Sequence, residues 1–284
     1  MMKLVFERGG QTITIGHALP YWLNKVTGLS EIDCDVESEK ATDQDGEVYK
    51  GSTANKRNIV INATVIPPEG KSHAAIREEF FAFFIPRAQG TLYVYEGTAG
   101  KKIDYRLENI EIDPDGIFRD FSISLICPDP KFKALEDDVD TIAQTMGLIE
   151  WPLELPEEFE VGRRTDTLMA TVVNNSSVTR GMTLTFVASG EVVNPGMIEV
   201  GRQESMKINT TMHAGDVIII TTGQNKKRVK LVRGGVETNI NNLWDFGGVW
   251  LQVEPGTNVF RVTADSSVEP LEVTIASTPA YWGA

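Results

Sequence analysis

Residues 119–127 read Arg-Asp-Phe-Ser-Ile-Ser-Leu-Ile-Cys. Phe121, Ile123, Leu125 and Cys127 alternate with Asp120, Ser122, Ser124 and Ile126, and three of those four alternates are polar. Period-two alternation of this kind predicts a half-buried β-strand with Cys127 pointing inward. The same reading extends outward in both directions. Leu4 and Phe6, then Ile13 and Ile15, flank Gly9-Gly10, which predicts a tight N-terminal hairpin. Downstream, Leu184-Phe186-Ala188, Val217 to Ile220, Val229-Leu231, Phe260-Val262 and Leu271-Val273-Ile275 are further strands, punctuated by glycines every 5 to 14 residues. Many short strands with regular turn signals predict an antiparallel sandwich.

Two helices are expected within this β-rich chain. In 72–85, Ser72 can cap, Ile76, Phe80, Phe83 and Phe84 share a face, and Pro86 follows; these phenylalanines read as core. The second is expected over 129–147. There Phe132, Leu135, Val139, Ile142 and Met146 fall at spacings of 3 and 4, with Asp129 at the N-cap, Pro130 at N1 and Gly147 at C′.

Charge marks the organisation. The 284 residues carry 27 Lys and Arg against 40 Asp and Glu, a net of −13, which argues against nucleic-acid binding. Residues 134–162 hold nine acids and no base, with Pro152 and Pro156 among them. We therefore expect a first β domain at 1–133, an acidic helix and connector at 134–162, and a second β domain at 163–284. No apolar run reaches the ~18–20 residues of a membrane span, and the N-terminus has no signal-peptide core. Two cysteines, Cys34 and Cys127, make no disulfide framework, and a bridge between them is disfavoured in the reducing compartment expected here.

Catalytic chemistry is hard to find. His17, His73 and His213 are scattered, and no zinc spacing, phosphate loop or nucleophile elbow is present. Gly97 to Gly100 reads as a hairpin loop. Asp43-Gln44-Asp45-Gly46-Glu47 only faintly resembles a calcium loop, because its glycine comes too early, and it reads as an exposed acidic turn. Asp33, Asp35, Glu37 and Glu39 read as one solvated strand face. Lys226-Lys227-Arg228 reads as a polar hairpin tip running into a strand. Trp244, Trp250 and Trp282 could make a sugar-stacking platform, but core packing is the simpler reading. Trp250 and Leu251 are expected on one strand with one of them in the core. Trp250→Ala should then cost ~3–5 kcal/mol if the ring is buried. No catalytic, cofactor-binding or metal-ligating residue is assigned, no cofactor is expected, and the chain is expected not to be an enzyme.

A set of ordered segments carries a resemblance. These are CPDPKFKAL (127–135), WPLELPEEFEVGRR (151–164), GEVVNPGMIEV (190–200), Ala214-Gly215-Asp216 through Ile220, and KKRVKLVRGGVETNI (226–240). Asn242 to Phe246, Trp250-Leu251, Glu254 to Asn258, LEVTI (271–275) and Tyr281-Trp282-Gly283 follow in order. Together they resemble the distal tail proteins of long-tailed phages, and KRNIVINATV (56–65) matches more loosely. The resemblance implies an N-terminal ring domain at the end of the tail tube, most simply a hexamer. It implies a galectin-like or carbohydrate-module-like sandwich outside that ring. Its implied partners are the tail tube protein and the tip, fibre or receptor-binding proteins. It implies a place at the virion tail tip after assembly in the bacterial cytoplasm. The rivals are a carbohydrate-binding module for host-surface glycans and a wall-degrading enzyme with two carboxyls of separated pKa.

Overall fold

A computed structural model describes residues 1–40, 42, 45–113, 119–142, 145–147, 162–164, 168–266 and 268–284. The chain forms two units, Met1–Leu135 with Ala280–Ala284, and Glu136–Pro279. The second is thus an insertion between two strands of the first. The proline-containing connector lies at 148–161, outside the described residues.

The first unit contains β1 (Met2–Arg8), β2 (Gln11–Ile15), β3 (Tyr21–Thr27), β4 (Cys34–Glu39), β5 (Val48–Ala54) and β6 (Arg57–Val65). Helix α1 (His73–Phe83), β7 (Gln89–Glu96), β8 (Ala99–Ile112), β9 (Arg119–Cys127) and β10 (Phe132–Ala134) follow. The expected N-terminal hairpin is present. Leu4 pairs with Ile15 and Phe6 with Ile13, and Gly9 and Gly10 both take positive φ, as a two-residue turn requires. The antiparallel order is β2-β1-β7-β8-β9-β6-β3. Strand β8 changes partners midway: Ala99 to Arg106 pair with β7, and Arg106 to Ile112 with β9 across a register shift. The two ends of the order meet where Gly16 bridges Trp22 and the Leu23 N–H donates to the Gly16 carbonyl at 2.6 Å. The result is a barrel-like sandwich.

Alternation fills its interior. Phe121, Ile123, Leu125 and Cys127 of β9 are all buried, as are Ile59, Ile61, Ala63 and Val65 of β6. Helix α1 forms as expected. Ser72 Oγ accepts the Ala75 N–H at 3.2 Å, and Ile76, Phe80, Phe83 and Phe84 are buried. Phe80 meets Phe121 at 5.0 Å and Phe84 at 4.7 Å between ring centroids, and Phe84 meets Phe6 at 5.1 Å. These edge and tilted contacts suit aromatic quadrupoles.

The helix expected over 129–147 does not form. Its residues belong instead to β10, β11 (Asp138–Ile142) and β12 (Thr145–Gly147), the last paired with β13 (Gly162–Arg164). The physical reason is the destination of the supposed stripe. Phe132 is buried in the first core and Ile142 in the second, while Leu135 and Val139 are exposed. One helix face cannot serve two cores. Asp129 accepts the Lys131 N–H, a local turn in place of a cap.

The second unit continues with β14 (Met169–Asn174), β15 (Met182–Ala188), β16 (Val192–Val193), β17 (Gly196–Glu199), β18 (Glu204–Lys207) and β19 (Thr211–Met212). Strands β20 (Val217–Thr221), β21 (Arg228–Arg233), β22 (Val236–Asn239), β23 (Gly256–Thr263) and β24 (Leu271–Ser277) complete it. One antiparallel sheet runs β11-β24-β15-β20-β21-β22 and another β14-β23-β17-β18. Both feed one core, including Leu184, Phe186, Ile218, Val273, Phe260 and Met197. That is the sandwich the sequence predicts. The chain then returns to the first unit as β25 (Ala280–Tyr281), which pairs with β10. No described helix is long and apolar enough to cross a membrane.

Candidate assembly surfaces

Strands β4 and β5 form a separate two-stranded ribbon. Cys34 pairs with Ala54 and Glu39 with Val48, with a register shift between Glu37 and Ser38. None of its strand residues is buried. Val36, Val48 and Tyr49 are 54–63% exposed. The four acids expected on a solvated face are indeed exposed, and several have local partners. The Asn55 amide donates to Asp33 at 3.2 Å and to Asp35 at 3.1 Å, and Lys50 pairs with Glu39 at 2.6 Å. A two-stranded ribbon with no buried face is marginal by itself.

The inner strands of the larger sheet, by contrast, have a neighbour on each side. Strand β6 is laddered to β3 and β9, and β7 to β1 and β8. Many outward-facing residues of this sheet are polar, among them Asn58, Asn62, Thr64, Asp120, Ser122 and Ser124. An open concavity of about 480 Å³ is lined by Asn24, Asn62, Glu111, Asp120 and Ser122 among others. Nearby, the Asn24 amide donates to Thr64, whose hydroxyl donates to Asp120. Asn24, Thr64 and Asp120 thus satisfy one another on this open face.

In the second unit, acidic residues of the segments that carry the resemblance act as clasps. Glu199 is buried on β17, and its carboxylate accepts the Arg202 and Val259 backbone N–H groups at 2.6 and 3.3 Å. Burial pushes its pKa up, but those N–H groups and the Arg202 charge outweigh burial and hold it below the usual value. Buried Asn258 accepts the Glu254 N–H at 3.0 Å and donates back to the Glu254 carbonyl at 2.8 Å, closing the Pro255-Gly256 turn. Asp216 follows Gly215, which has a φ of 87°, and opens β20. Its carboxylate accepts the His213 N–H at 2.8 Å and the Arg233 guanidinium at 2.6 Å. The Arg233 hydrogen bonds hold its pKa below the usual carboxylate value despite burial, with the His213 N–H adding to the effect.

The remaining singled-out residues are not brought together. His17 faces Trp22, His73 opens α1, and exposed His213 sits 3.9 Å from Glu191. Among the described residues no group of His, Cys, Asp or Glu is placed to hold a metal. The calcium-like run lies partly outside the described residues. Gly97-Thr98 is a two-residue hairpin turn, and Lys226 closes a turn with Gly223 before β21, as expected. Cys127 is buried and Cys34 exposed, and both are free. Desolvation pushes the Cys127 thiol up to about 12.

The tryptophans correct the expected strand. Trp250 and Leu251 sit outside any strand, with Leu251 buried in the core. Trp244 is buried and stacks on half-buried Trp250 at 3.9 Å and 2°, while Lys227 lies over Trp250 at 5.8 Å. Trp250 therefore has a neighbour on its ring in both contacts, and Trp282 belongs to the first unit.

Residues 8–127 match the family of phage tail protein RIFT-related domains, and residues 175–281 match the siphovirus-type tail component, C-terminal domain. Among solved structures, the chain is similar to SPP1 Dit, described as a paradigm of hub adsorption apparatus in Gram-positive infecting phages. The identity is 14% and the TM-score 0.72, over 98% of this chain and 99% of that one. A chain of the phage P2 baseplate in its activated conformation with Ca is similar at 10% identity and TM-score 0.60, over the whole of both chains. A chain of the Sr-bound P2 baseplate is similar at 11% identity and TM-score 0.57, over 97% and 98%. No curated protein is significantly similar.

Proposed function

The chain belongs to the siphovirus-type phage tail components and is a structural distal tail hub protein of the virion, and from that premise we propose that it works as a closed homo-oligomeric ring. The observation that carries this reading is the β4–β5 ribbon. Its apolar side chains and both its edges are open, and a heterologous contact repeated around an axis covers one such ribbon per copy. Six copies is the number the family resemblance implies. The ring joins the tail tube protein on one side to tip, fibre or receptor-binding proteins on the other, after assembly in the host cytoplasm.

We also propose that the role is mechanical and not catalytic. The two clasped carboxylates, Glu199 and Asp216, are both held below the usual value. A general acid needs the opposite shift. A glycan-binding role for the Trp244–Trp250 pair gains no support, since one ring is buried and the other is stacked. Purified protein incubated with host peptidoglycan is expected to release no soluble fragments.

The ring is tested by introducing charge where the ribbon is apolar. Light scattering of V36D and Y49D at high protein concentration is expected to show smaller species than the parent. Circular dichroism should be unchanged, because both side chains are exposed. A ring that survives both changes removes the ribbon from the interface.

A further inference from the structure

The first unit contains a groove filled by a segment that the chain supplies only after the whole second unit. Tyr281 pairs with Phe132 and Ala280 with Lys133. Beyond that short ladder, the Trp282 carbonyl accepts an N–H from Arg57, and the Gly283 carbonyl accepts the Lys101 ammonium at 2.7 Å. The Ala284 N–H donates to the Leu29 carbonyl at 3.1 Å. Lys101 also lies over the Tyr281 ring at 4.6 Å, and Lys131 over Trp282 at 5.6 Å.

Arg57 is the centre of this arrangement. It is 5% exposed, and its other N–H groups go to the carbonyls of Pro130 at 2.8 Å, Gly28 at 2.6 Å and Glu31 at 2.5 Å. The guanidinium also sits over Phe132 at 5.0 Å. Gly28 must be glycine, because a Cβ there would lie 2.0 Å from the Asn58 carbonyl oxygen. A buried guanidinium needs all its donors satisfied. One of its four carbonyls comes from residue 282. Without β25, the only ladder of β10 is two pairs with β8.

We propose that this is a peptide-binding groove, that its ligand is the segment 280–284, whose first two residues add as a β-strand and whose last three are held by their backbone groups, and that the first unit closes only once that segment has arrived. Recognition is of main-chain carbonyls by Arg57 and Lys101, with two aromatic rings beneath lysines, which is strand addition fixed by cations. The inference does not rest on the ring reading. Its consequence is that a chain interrupted within the second unit presents an open first unit.

The test is the full chain ended at Pro279, followed by hydrogen exchange. Amides at 28–31 and 131–134 are expected to exchange at least about tenfold faster, with the second unit's strands unchanged. A synthetic peptide spanning 278–284 should restore protection saturably, and a scrambled peptide should not. Should the shortened chain aggregate, full-length R57Q is expected to loosen the same two stretches. Unchanged exchange in either protein overturns the proposal, as does loosening that the peptide fails to reverse.

Discussion

The two units close similar antiparallel sheets by different means. The first relies on rings: Phe6, Tyr21, Phe80, Phe84, Tyr105 and Phe121 converge around α1, and one buried cation, Arg57, ties the chain's return. The second has few buried aromatics and uses Met182, Met197, Met206 and Met212 among its aliphatic residues. It pins its turns with buried charge, through Glu199, Asp216 and Arg180. Arg180 is 4% exposed and pairs with Asp138 at 2.8 Å. The difference teaches where each unit is vulnerable. Aromatic packing is insensitive to pH and intolerant of lost volume, whereas clasped carboxylates have the reverse profile.

The sharpest test of the contrast is a cavity at the point of densest ring contact. Phe80 is 2% exposed and touches Tyr21, Phe84 and Phe121. Phe80→Ala is expected to cost about 3–5 kcal/mol. The loss should appear in the hydrogen exchange of β6, β9 and α1 and should be the same at pH 5 and pH 8. A cost below about 1 kcal/mol would mean that the rings are not what holds this unit together.

What was legible from sequence follows the same division. Strands with a strict period of two, such as 119–127 and 182–188, are read directly because one face is buried along their whole length. Helix α1 is legible for the same reason, its stripe serving one core. The 129–147 stripe misleads because spacings of 3 and 4 do not reveal that Phe132 and Ile142 go to different cores. Nothing local in Ala280 to Ala284 announces a return across the whole second unit; the signal is the inward parity of Arg57 on β6, a charge placed in an otherwise apolar alternation. The β4–β5 ribbon is visible as strands, but its isolation is a matter of topology.

A smaller effect is expected at Asp216, where the second unit's charge clasp can be removed with little change of shape. Asp216→Asn is expected to cost about 1–3 kcal/mol near pH 7, because it weakens the bonds to Arg233 and the His213 N–H. The sign with pH is fixed by the lowered carboxyl pKa in the folded state. The clasp's contribution is complete above the ordinary carboxylate value of about 3.9 and fades as pH falls through the lower folded value. Parent and variant melting temperatures should therefore converge in strong acid. A difference that stays constant from pH 7 to pH 2 would place the effect in packing and erase the contrast with Phe80.

The smallest effect belongs to Trp250, the one place where the second unit borrows the first unit's aromatic device. Its ring lies flat on Trp244 and under Lys227, yet it is only half-buried, and its neighbour Leu251 is the residue committed to the core. Full burial would have made Trp250→Ala a change of ~3–5 kcal/mol. With part of the ring already in water and the parallel stack worth about 0.5–1.5 kcal/mol beyond its area, a cost of about 1–2 kcal/mol is expected instead. Stacked indoles couple their transitions, so near-ultraviolet circular dichroism should lose a paired band in the variant even where the melting temperature moves little. Lys227→Ala separates the two contacts of the ring: it should leave that band in place and change stability by less than about 1 kcal/mol. If Trp250→Ala instead left both stability and the band untouched while abolishing binding to host-surface glycans, the ring would be a recognition platform, and the second unit's aromatic pair would have no part in holding its fold.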